Sequence, residues 1–158
     1  MTKLLKKYKA LCEEMVKDPK FEAEDLIGDG KLESKCNFSV QHICGEMGYD
    51  GFKAKTANMV YSLLEVDPDW QRAPAEVCIA KIEKCSAIGI AASEGARHGH
   101  VAMLVLGDLG SSGKWHTTKV PLVAHIGKKG TNGIKHANYA FSSEPAYFYR
   151  EMNGKKEE

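Results

Sequence analysis

Residues 86–107 read SAIGIAASEGARHGHVAMLVLG. Two short apolar runs, 86–93 and 100–107, flank a polar turn, and a third, VPLVAHIG, follows at 120–127. Short runs rich in Val, Ile and Ala, bounded by Gly and polar residues, have the length and composition of sheet strands. YAFSS at 139–143 and AYFYR at 146–150 read as two more strands, and the polar stretch 108–118 as a long loop.

Upstream the periodicity is helical. Leu4, Leu5, Tyr8, Leu11, Cys12, Met15 and Val16 repeat at three- and four-residue intervals, which predicts an amphipathic helix over 2–18 that Pro19 ends. Residues 19–35 are polar, with a turn at Gly28-Asp29-Gly30. The segment DLIGDGKLE within it lacks the acidic ladder and terminal Glu of a calcium loop. Phe38, Val40, Ile43, Cys44 and Met47 define a second helix starting at Cys36 and stopped by Gly48. Thr56 caps a third, closed by Pro68, and residues 75–85 form a fourth. Helices first and strands second predict an α+β domain, with N-terminal helices packed on a C-terminal antiparallel sheet. The 158 residues, 43% of them apolar, suit one compact domain. Residues 1–33 supply a helix and a polar loop, 34–150 the core, and 151–158, ending in NGKKEE, a disordered tail.

A net charge of +1 argues against a general grip on nucleic acid. No secretory signal and no membrane-spanning stretch is recognisable, so the expected site of synthesis is the cytoplasm, with release by lysis or a dedicated secretion system. Five cysteines without a CxxC pair argue against a disulfide framework or a structural zinc site.

Among the five, Cys36 stands apart. It is expected at the start of a helix, where backbone N–H groups and the helix dipole stabilise a thiolate, with Lys35 adding positive charge. Cys12, Cys44, Cys78 and Cys85 fall inside apolar helical patterns, where burial keeps a thiol inert. A nucleophilic thiol needs a base. His100, at the mouth of an apolar strand, is the candidate, and His98 two residues earlier competes with it. His125 interrupts another apolar strand and asks for a polar partner. It is either the group that orients His100 or a hydrogen-bonded core histidine. His42, His116 and His136 read as surface or structural residues. Zinc held by Cys36, His98 and His100 would lack a fourth ligand.

The run CNFSVQHICGEMG from Cys36 resembles the nucleophile helix of the CHAP family, the cysteine, histidine-dependent amidohydrolases/peptidases of the NlpC-type papain-like clan. GHVAMLV resembles its base strand and PLVAHIG the strand that carries its third residue. TANMVYSLL is similar to an Ala-Asn-containing helix of related amidases. The wider clan often has Asp-Cys-Ser-Gly where Lys35-Cys36-Asn37-Phe38 stands here, which favours the CHAP side, and the N-terminal helix has no counterpart. The resemblance spans roughly residues 34–150. It implies a papain-like fold and hydrolysis of bacterial peptidoglycan, at N-acetylmuramoyl-L-alanine amide bonds or stem and cross-bridge peptide bonds. It also implies Cys36, His100 and His125 as catalytic residues, with Asn138 the alternative third member. Lys35, Asn37, His98 and Asn58 become candidates for oxyanion and substrate binding, and no metal or organic cofactor is required. Trp70 and Trp115 are candidates for stacking on sugar rings or for packing. Two other readings stay open: a Cys-His hydrolase, toxin or effector acting on protein or lipid, and a non-catalytic binding module of the same fold.

Overall fold

The computed structural model of the chain describes residues 2–96 and 98–152. The disorder expected of 153–158 lies outside them. The chain is α+β. Helices α1 (Lys3–Met15), α2 (Cys36–Glu46) and α3 (Ala57–Val66) lead into a two-residue strand β1 (Gln71–Arg72) and helix α4 (Ala75–Cys85). Strands β2 (Ala87–Ser93), β3 (His100–Ser112), β4 (Thr117–His125), β5 (Gly133–His136) and β6 (Ala146–Glu151) follow. All six strands join one antiparallel sheet in the order β1-β6-β2-β3-β4-β5.

The helix starts follow local chemistry. Thr2 caps α1, its hydroxyl oxygen accepting the Leu5 N–H at 3.1 Å, and Thr56 caps α3 through the Met59 N–H at 3.2 Å. Gly48, with φ of +92°, supplies the left-handed residue just past the end of α2. Strand β2 and the first half of β3, Val101–Val105, are buried on both faces, and all four helices contact this part of the sheet or its neighbours. Residues 2–33 are part of the same body: Leu5, Tyr8, Cys12 and Met15 of α1 and Phe21 beyond it are all in the core.

Several expectations need correction. The stretch 108–118 is not a loop, because β3 runs on to Ser112 and β4 starts at Thr117. This hairpin arm is largely exposed and its register shifts at Gly110, so neither apolar alternation nor an even ladder marks it. Residues 139–143 are not a strand. A 3-10 turn at Ala137–Tyr139 carries the chain over the sheet edge, and the apolar Phe141 that suggested a strand is buried from irregular backbone. The edge strand that pairs with β4 is instead β5, GIKH, whose half-buried residues give no strong pattern. In addition, α1 stops at Met15, three residues short of the expected end, and β6 takes in Glu151, assigned above to the tail.

Tyr8 locks the first helix to the middle of the sheet. Its buried hydroxyl donates to the backbone carbonyl of Leu104 in β3 and lies 3.3 Å from the Gly89 carbonyl in β2. Removing it strands buried acceptors and a hydroxyl-sized void. Tyr8→Phe is expected to lower the unfolding free energy by about 1–2 kcal/mol in urea titrations; an unchanged midpoint would show the bond contributes nothing.

Candidate active site

Cys36 is the first residue of α2, and α2 packs on β3. The thiol sits against the backbone N–H of Val101, the residue after His100. The Cys36 N–H donates to Ser34 Oγ at 3.3 Å, and the Ser34 hydroxyl donates to the Ile126 carbonyl, also at 3.3 Å. The helix start therefore meets the outgoing end of β4. Only 5% of Cys36 is exposed. Burial pushes its thiol up, against the opposing pull of the Val101 N–H, the Ser34 hydroxyl and the first N–H groups of α2. This runs against the expectation that the helix start lowers the thiol. The expected help from Lys35 is also absent: its ammonium is 2.7 Å from the Glu24 carboxylate and donates to the Lys20 carbonyl at 2.8 Å. Cys12, Cys44 and Cys78 are buried, and burial raises all three thiols, Cys12 and Cys78 up to about 12. The Cys85 side chain lies outside what the structure describes.

His100 opens β3 and His125 closes β4. The two strands pair with Met103 opposite Ala124. One step further along the same ladder, His125 faces Ala102, so the two histidines share a face as a diagonal pair. Their rings meet edge to face at 5.1 Å, and His100 Nε2 lies 3.1 Å from His125 Nδ1. Phe141 also packs against His100, with ring centroids 4.7 Å apart. Both histidines are held down to about 4. Burial is the larger cause for each, followed by the neighbouring His125 for His100 and by Lys135 for His125. Two neutral imidazoles result. Among the described residues, no hydrogen bond joins the His100 ring to the Cys36 thiol. His100 Nε2 is engaged by His125, which leaves Nδ1 as the nitrogen available to the sulfur. Thiol–imidazole bonds of unliganded enzymes commonly tighten only on substrate binding.

The remaining candidates separate. His98 is exposed in the turn before β3, and among the described residues no bond or ring contact ties it to the pair. Asn138 sits in the 3-10 turn after β5, while His125 holds the bond an orienting residue needs. Asn37 donates its amide to the Lys55 carbonyl at 3.1 Å, so it ties α2 to the loop before α3. Asn58 bonds both backbone groups of Gly95, donating to the carbonyl at 2.9 Å and accepting the N–H at 3.1 Å. A side chain at Gly99 would strike the Asn58 amide oxygen at 2.4 Å, so Asn58 shapes the turn that delivers His100. Of the four residues assigned to oxyanion and substrate binding, Lys35, Asn37 and Asn58 thus have structural partners. Trp70 is buried among Tyr49 and Phe52 and cannot stack on a sugar, whereas Trp115 is half-buried at the hairpin tip. His136 meets the Asp108 carbonyl at 3.1 Å, His42 packs near Phe21, and His116 is exposed in the hairpin turn.

The sequence reading missed Ser34, Gly127, Thr131 and Phe141, which surround the cluster. Thr131 lies in KKGTNG, and nothing in that string separates it from any polar turn. Among the described residues no group of three His, Cys, Asp or Glu side chains is placed to hold a metal ion. Two surface clefts, one beside α2 around Phe38, His42 and Asp50, the other around Arg72, Lys119 and Glu144, contain none of Cys36, His100 and His125. No protein-family model matches the chain, and no curated protein matches it.

The histidine pair makes a prediction about acid stability. Below the ordinary imidazole value of about 6.5 the unfolded chain binds protons that the folded chain, with both rings at about 4, refuses. Stability therefore falls as pH drops through that window. The thermal midpoint is expected to fall between pH 7 and pH 4.5, and His125→Gln, which keeps a neutral polar side chain, to flatten the fall. An identical slope in the variant would remove His125 from the account.

Proposed function

We propose that the chain is a papain-like cysteine hydrolase of the CHAP type, which cleaves amide bonds of bacterial peptidoglycan. One observation carries the chemical half of this reading. A cysteine at a helix start lies against the first residues of the strand that presents His100, and His100 is bonded at 3.1 Å to a second histidine that can orient it. Nucleophile, base and orienting group in that chain order, on a helix start and two adjacent strands, are the parts acyl transfer needs. The substrate half rests on the resemblance of CNFSVQHICGEMG, GHVAMLV and PLVAHIG to that family's motifs.

In this mechanism His100 Nδ1 takes the Cys36 proton as the sulfur attacks the carbonyl carbon. The new C–S bond converts the carbonyl oxygen to an oxyanion. The backbone N–H of Cys36, now on Ser34 Oγ, is the donor that turns to it. As the C–N bond breaks, His100 passes the proton to the departing amine. Water then loses a proton to His100 and attacks the thioester, and the sulfur leaves with that proton restored. His125 holds the imidazole in place and helps spread its transient positive charge. The ground state is a neutral pair, so charge separates only during the reaction.

Isolated cell-wall sacculi test both halves. The wild-type chain is expected to release soluble amino groups, and Cys36→Ala or His100→Ala to slow release by about 10³-fold or more. Full activity in Cys36→Ala would end the hydrolase reading. A wild type that is silent on sacculi but cleaves protein or lipid amides would end the peptidoglycan half alone.

The base must be unprotonated, and His100 is held down to about 4. The acid limb of kcat/KM is therefore expected near that value, leaving activity intact at pH 5.5 where an ordinary histidine would be mostly protonated. A limb centred at 6.5 would show that the ring is not buried in the working enzyme.

A further inference from the structure

We infer that Thr131 is a positioning residue whose single hydroxyl proton fixes the tautomers of His125 and His100, leaving the bare Nδ1 of His100 for the thiol. The inference rests on the hydrolase reading for its purpose, though not for its geometry.

The argument is a proton count. Thr131 Oγ1 lies 2.6 Å from the Lys128 carbonyl and 3.3 Å from His125 Nε2. A carbonyl oxygen only accepts, so the one hydroxyl proton goes to Lys128. Toward His125 the threonine oxygen can then only accept, which requires the proton on Nε2 of that ring. A neutral imidazole carries one ring proton, so His125 Nδ1 is bare and accepts from His100 Nε2 at 3.1 Å. His100 is then protonated on Nε2, and its Nδ1 holds a lone pair. Every donor in the chain Lys128–Thr131–His125–His100 has an acceptor, and the reverse order would leave the Lys128 carbonyl facing another acceptor.

The surroundings are shaped for this contact. A Cβ on Gly127 would lie 2.4 Å from His125 Nε2 and 3.2 Å from Thr131 Oγ1, so only glycine there lets ring and hydroxyl meet. The loop is pinned from outside. Asn132 accepts the Gly127 N–H at 3.0 Å and donates to the Phe21 carbonyl at 3.1 Å, and Glu22 accepts the Gly130 N–H at 3.2 Å. The Thr131 N–H donates to the Lys128 carbonyl at 3.0 Å, so the turn survives loss of the hydroxyl.

Long-range ¹H–¹⁵N spectra of histidine-labelled protein at pH 7 report each tautomer directly. The wild type is expected to show both rings neutral with the proton on Nε2. Thr131→Val keeps the side chain's bulk and removes its oxygen. Its His100 signals are expected to move to a mixture of tautomers. On an amide substrate, kcat should fall about tenfold with KM unchanged, the kinetic equivalent of one hydrogen bond. Thr131→Ser is expected to restore both. A wild-type His100 protonated on Nδ1, or Thr131→Val spectra identical to wild type, would overturn the inference. The spectra need no substrate, so a chain that hydrolyses nothing would end the functional reading while this test still returned its own answer.

Discussion

The contact between the His100 and His125 rings exists only because β3 and β4 are paired in one register. A slip by one residue would turn one imidazole to the opposite face of the sheet, since side chains alternate along a strand. What holds the register is the apolar content of the paired segments. Val101 to Leu104 and Val123 to Ala124 are fully buried, and a slipped pairing would send these residues to the wrong layers. The polar cluster is thus positioned by hydrocarbon packing a few residues away. The same packing lowers the local dielectric and keeps both rings neutral. Stability and the state of the candidate base have one physical source.

The segment after α1 has a structural role in this arrangement. Phe21 and Glu22 receive the loop between β4 and β5 through Asn132 and the Gly130 N–H. Glu24 takes the Lys35 ammonium that would otherwise lie free at the start of α2. One short stretch of polar chain therefore braces both the thiol's helix and the loop that carries Thr131. Each bond is partly exposed and worth about 1 kcal/mol or less alone. Together they fix the spacing between two elements that the sheet alone does not connect.

The elements with strong periodicity were legible in the sequence. The starts of α2 and α4, the cap of α3 and the beginning of β3 lie close to where apolar spacing and capping residues put them. The apposition of His100 and His125 was legible too, because a polar residue in a buried strand has few ways to be satisfied. What escaped was set by tertiary context. Phe141 looks like a strand residue because burial by irregular backbone leaves the same apolar signature. The exposed arm of the β3–β4 hairpin looks like a loop because both of its faces meet water. Thr131 and Gly127 act through a contact that a single sequence does not encode locally. Lys35 adjoins Cys36 along the chain, yet its long side chain carries the charge away to Glu24.

The state of the thiol follows from magnitudes. A helix N-terminus stabilises a charge by about 0.3–1 kcal/mol, up to about 2 in a partly buried setting. Removing an ion from water costs several kcal/mol even after the protein relaxes. With Cys36 almost covered and Lys35 paired elsewhere, the second effect wins and the thiol stays protonated. A preformed thiolate–imidazolium pair would also need His100 charged, yet burial and its histidine neighbour hold it neutral. The two groups therefore oppose ionisation together. Under the hydrolase reading proposed above, charge forms only when one proton moves from sulfur to nitrogen, with a bound carbonyl to receive the electrons and the Cys36 N–H to receive the oxyanion. A buried, protonated thiol reacts slowly with small oxidants and alkylating agents, because the thiolate is the reactive form. In that reading the electrostatic stabilisation acts on the transition state, where it would accelerate the reaction, and not on the resting state, where it would not.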